Sequence, residues 1–195
     1  MNFFVRAKHW QVFMLLIGIP SIAQTIILAL LIPASLHGGT HSLIIVLKWI
    51  PIPMLFCFTF YLLWLYTIGT MLYAMAPSSA TVKLWAFKIC LTVLLLYGIC
   101  FSVFIYLVVS SIFLNALSPP NIIIAPLLML FIHLLAMLSV IYCCYFIAKI
   151  LKLAESQSDV RFTDCIGDFV LMIILPIGIW VIQPRINKLF TQYRT

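Results

Sequence analysis

Residues 167–188, GDFVLMIILPIGIWVIQPRINK, decide the architecture, because their apolar run either crosses a membrane or turns back on itself. Positions 169–182 would make a helix of about 21 Å, whereas a hydrocarbon core of about 30 Å asks for about 20 helical residues. Pro176 and Gly178 sit at the middle of the run, and these are the residue types that most readily break a helix. A short run with a central Pro-x-Gly predicts a re-entrant or interfacial hairpin turning at Pro176 to Gly178. The competing reading is a tilted fifth span in a thinned bilayer.

The rest of the chain sets the context. Of its 195 residues 66% are apolar and 8% charged, a balance with which a soluble domain could not cover its surface in polar groups. The chain reads as an all-α polytopic membrane bundle in a single domain. Four runs are long enough to cross: residues 11–33, 50–75, 89–114 and 122–148. The linkers SLHGGTHS, APSSATVK and NALSPPN separate them, and a polar stretch with KLAESQSDVRFTD follows the fourth. Residues 149–168 then read as a loop, 169–183 as the hairpin and 184–195 as a tail. Arg6 and Lys8 precede the first run without a cleavage-site pattern after it, so that run is kept as a span.

Positive charge orients the bundle, because Lys and Arg accumulate in short cytoplasmic loops. With the N-terminus inside, Arg6, Lys8, Lys83, Lys88, Lys149, Lys152 and Arg161 fall on the cytoplasmic side and Lys48 falls outside. A turning hairpin keeps Arg185, Lys188 and Arg194 inside as well, so both termini are expected in the cytoplasm. The absence of an Asn-x-Ser/Thr acceptor is compatible with a bacterial inner membrane.

The chemistry is sparse. All four acidic residues, Glu155, Asp159, Asp164 and Asp168, lie in one window outside the spans, which weighs against cation-coupled transport and carboxylate catalysis within the membrane. The six cysteines show no CxxC or metal-knuckle spacing and read as small buried side chains. His133 shares a helix face with Met129 and Met137, but a neutral histidine bonded to a neighbouring helix explains that pattern better than a soft-metal site. No cofactor, metal or catalytic residue is expected, nor direct binding of nucleic acid. Gln24, Gly98, Ser102 and His133 are assigned to helix packing and self-association, Gly98 and Ser102 forming a small-xxx-small step. The mixed-charge window, Glu155, Asp159, Arg161, Asp164 and Asp168, together with Arg185 and Lys188, is the expected surface for a cytosolic protein partner.

In layout, four spans followed by ILPIGIWVIQPRIN, the chain resembles the small membrane subunit of the two-component Kiwa anti-phage system. The resemblance implies a homo-oligomeric inner-membrane sensor that engages a cytosolic nucleic-acid-binding effector, and it carries over no functional residue. The expectation is a non-enzymatic sensor or scaffold in contact with membrane lipids. A small oligomeric channel or permeabilising effector is the alternative, with Gln24, Thr25 and His133 facing an axial pathway.

Overall fold

The computed structural model describes residues 3–37, 46–77, 82–113 and 119–194. Among these every regular element is a helix: α1 (Phe3–Arg6), α2 (His9–Phe13), a π-helical turn (Met14–Gly18), α3 (Ile19–His37), α4 (Pro51–Met75), α5 (Leu84–Phe113), α6 (Pro119–Ser156), α7 (Phe162–Ile173) and α8 (Leu175–Arg194). Of the expected linkers SLHGGTHS, APSSATVK and NALSPPN, residues 38–42, 78–81 and 115–118 lie outside the described residues, while 35–37 still belong to α3 and 119–121 already open α6. Four helical stretches are long and apolar enough to cross a membrane: His9–Pro33, Val46–Met75, Leu84–Ser111 and Ile124–Ser156. The protein is thus a membrane-type helical bundle, and the C-terminal apolar run is not one of its four candidate spans.

Neighbouring spans are antiparallel, as the side chains between them record. Phe87 of α5 stacks on Phe146 of α6 with ring centroids 4.3 Å apart, and Tyr97 bonds His133 ten residues farther along α5. Lys48 lies over the Tyr106 ring at 5.4 Å, joining the start of the second span to the end of the third.

The core is not spread evenly along the bundle. Trp64, Leu65, Ile68 and Leu72 of α4, Phe87 of α5, and Phe146, Ile147, Ile150 and Leu151 of α6 are buried almost completely. Towards the opposite end Ile22, Ile26 and Leu30 of α3 and Leu127, Leu128 and Phe131 of α6 are more than half exposed. The closed end holds α1, α7 and α8, and the open end holds α3 and the start of α6. The exposed apolar side chains at the open end are consistent with contact with membrane lipid, whose hydrocarbon is as apolar as they are.

The polar window after the fourth span is largely helical, not the loop expected for 149–168. α6 continues to Ser156 because Ile150, Leu151, Leu153 and Ala154 bury against the bundle, and α7 already begins at Phe162. Gln157 ends α6 in the left-handed region at φ 50°, where its side-chain amide donates to the Met75 and Ala154 carbonyls at 3.1 and 2.9 Å. Asp164 then starts α7 by accepting the Arg161 backbone N–H at 3.0 Å, a carboxylate placed well for the helix dipole.

The break in the C-terminal run falls at Ile174, φ −87° and ψ 69°, two residues before Pro176. Pro176 therefore stands in the first turn of α8, where a missing N–H costs little. Gly178 is needed for a different reason than a turn: a Cβ there would overlap the Leu171 carbonyl oxygen, so the glycine lets the start of α8 lie against α7. Beyond residue 183 the expected tail is also helical, through Arg194.

Candidate functional site

At the closed end α8 supplies two polar side chains that reach into the bundle. Ile179, Ile182, Gln183 and Ile186 are buried on one face of α8, and Asn187 follows Gln183 by one turn. Gln183 has no solvent exposure, so its amide must find partners inside. Its Oε1 accepts the indole N–H of Trp64 at 3.1 Å. Its Nε2 donates towards the Phe4 carbonyl at 2.6 Å, the Ala7 carbonyl at 3.2 Å and the Asn187 Oδ1 at 3.1 Å. Two hydrogens serve three acceptors, so one of these bonds is shared. Asn187 Nδ2 adds a bond to the Ala7 carbonyl at 3.0 Å. This cluster ties the N-terminal segment to α4 and α8, with Trp180 set against His9 and Phe13 beside it.

Two residues beyond Gln183, Arg185 joins α6, α7 and α8. Its Nε and Nη2 donate to the two Glu155 carboxylate oxygens at 2.7 and 2.6 Å, while Nη1 bonds Asp168 Oδ1 and Nη2 also reaches Asp168 Oδ2 at 3.0 Å. The planar guanidinium suits two carboxylates at once, which a lysine could not match. Asp168 is the deeper partner, its side chain 9% exposed against 26% for Glu155. Glu155 first and Asp168 second hold the Arg185 guanidinium well above its usual range, so it stays charged at any pH of interest. Along the helices Asp168 lies about 9 Å and Arg185 about 16 Å from Ile174. Their side chains meet because α7 and α8 fold back sharply on each other, which a straight crossing helix would not allow.

The expected partner surface is therefore divided. Glu155, Asp168 and Arg185 come together as an internal strut. Asp159, Arg161, Asp164 and Lys188 are exposed and do not join it: Asp159 accepts the Val160 N–H at 3.0 Å and Asp164 caps α7. Cys165, one turn after the cap, is buried and its thiol is pushed up by that burial. Among the described residues no group of three His, Cys, Asp or Glu side chains gathers as a metal would require.

The residues assigned to packing sit elsewhere. His133 Nδ1 and the Tyr97 hydroxyl share a 2.7 Å hydrogen bond between α5 and α6, which is a contact within one chain. Gly98 admits the Phe58 ring, since a Cβ there would come within 2.6 Å of it, and Ser102 bonds back to the Gly98 carbonyl at 2.8 Å. Gln24 makes no hydrogen bond to another helix among the described residues. It lines a cavity of about 330 Å³ between α3, α4 and α5 together with Gly98 and Ser102.

Trp64 and Gln183 were not legible as site residues. Trp64 reads as part of a lipid-facing aromatic stripe with Phe56 and Phe60, and Gln183 as the polar edge of the hairpin. The usable signal was the face Ile179, Ile182, Gln183, Ile186, Asn187, which sets an amide pair inside an apolar stripe. No family model, curated protein or solved structure matches this chain.

Proposed function

We propose that the chain is a non-enzymatic sensor or scaffold subunit of the bacterial inner membrane, which self-associates and recruits or regulates a cytosolic protein, as the resemblance to the Kiwa membrane subunit implies. The observation that supports this reading is the strapping of α7–α8 onto the closed end by Arg185 and Gln183. All four carboxylates lie at that end, and among the described Lys and Arg residues only Lys48 lies at the other. A rigid, mixed-charge face is what a partner of complementary charge can recognise without first ordering a loop. The bias of positive charge supports a cytoplasmic position for that face and for both termini.

The test changes exposed charges and leaves the strut intact. Asp159→Lys combined with Arg161→Glu is expected to abolish retention of a cytosolic protein during affinity purification in mild detergent at moderate salt, with membrane insertion and particle size unchanged. Equal retention by the variant, or a wild-type chain that elutes alone as a monomer, overturns the reading.

A further inference from the structure

The cavity between α3, α4 and α5 lies along the candidate spans. Every residue lining it falls within the candidate spans His9–Pro33, Val46–Met75 and Leu84–Ser111, so a ligand reaches it through the hydrocarbon phase. Its lining includes Leu16 in the π-helical turn Met14–Gly18 and Pro20 after it, Pro53 in the first turn of α4, and the small side chain of Ser102 on α5. Its volume of about 330 Å³ lies in the range of small-molecule sites.

Two features select the occupant. Phe58, Tyr61, Tyr97 and Phe101 form aromatic walls, with Tyr97 stacked on Phe101 at 5.6 Å and edge-on to Phe58 at 6.4 Å. Gln24 brings a side-chain amide to the same space, near the middle of its span and with no hydrogen-bond partner among the described residues. An amide left unbonded in hydrocarbon is costly, and its two N–H groups call for an acceptor. Aromatic faces favour a flat ring, and the depth demands an apolar body.

We propose that this cavity binds a planar, carbonyl-bearing ring on an apolar tail, the chemistry of a membrane quinone, with the Gln24 amide donating to a ring carbonyl and the four aromatic side chains enclosing the ring. The site is independent of the closed-end face and stands or falls separately from it.

The probe is decylubiquinone, titrated into the purified chain in mild detergent, with a methyl ester of similar length as the straight-chain control. Saturable fluorescence quenching and a rise in thermal midpoint are expected with the quinone and not with the ester. Gln24→Leu, a change on an exposed span position, is expected to weaken quinone binding about tenfold, the factor of one lost hydrogen bond. Ser102→Leu, which fills the space from α5, should abolish saturation. Equal response to the ester, no saturation, or undiminished binding by either variant overturns the proposal. So does oxidative cross-linking of two copies through Gln24→Cys in a background lacking the native cysteines, because a second copy would then cover the amide.

Discussion

Replacing Gln183 by leucine removes one side chain and orphans two groups that have no water to turn to. The Trp64 indole N–H loses its acceptor, and the Phe4 carbonyl loses its donor at 2.6 Å, whereas the Ala7 carbonyl keeps Asn187. A buried donor left unpaired costs about 1–3 kcal/mol, and the lost carbonyl partner adds about 1 kcal/mol, for a total of about 2–4 kcal/mol. The Trp64 bond joins α4 to α8, so only the carbonyl share of about 1 kcal/mol falls on the contact that holds α1, and that segment should detach more often than the bundle unfolds. At tenfold per 1.4 kcal/mol that share raises the detached population about fivefold. Trypsin cleavage after Arg6 and Lys8 in detergent follows that population when reclosing outpaces cleavage. Adding Trp64→Phe removes the orphaned donor, so the double variant should be cleaved more slowly than the sum of the two single effects predicts. Cleavage of Gln183→Leu within about twofold of wild type, with helix content unchanged, would refute the reasoning, since it would mean the amide cluster holds nothing that the apolar face of α8 does not already hold.

Arg185→Met leaves Asp168 buried beside Glu155 without their common cation, which is expected to loosen α7 from α8 at a cost of about 2–4 kcal/mol. Cys165, protected by burial in the intact protein, should then react with a thiol reagent at neutral pH at least tenfold faster in a background without the other cysteines; an unchanged rate counts against the strut. Gly178→Ala sets a methyl group against the Leu171 carbonyl oxygen, so the hairpin must open or shift, and a lowered thermal midpoint of about 4 °C or more is expected. An unaltered midpoint would show that the contact between α7 and α8 relaxes freely.

The spans and the fold-back of the C-terminal run were legible because they depend on local quantities: run length, a central proline and glycine, and the bias of positive charge. Where the run breaks was legible only to within a few residues. Pro176 marks a neighbourhood, while the backbone itself turns at Ile174 and uses Gly178 for close packing. The window around Glu155 was misread as loop because its charges drew attention from Ile150, Leu151, Leu153 and Ala154, whose burial carries the helix onward. Gln183 lay beyond local reading for a stronger reason. Its partners Phe4 and Trp64 are 179 and 119 residues away, and no pattern within α8 says which helix will lie against it.

That distance also sets an order of events in the cell. A chain emerging at roughly 5–20 residues per second exposes Phe4 about 9–36 s before Gln183 exists to hold it. During that interval the first span can insert, but the N-terminal turn ahead of it has no anchor. Closure of the bundle thus waits for α8, and a message or chain interrupted after residue 156 but before residue 183 yields a protein whose candidate spans are all present and whose leading segment stays open to proteases. Completion of synthesis is, in this molecule, written into which end of it can be cut.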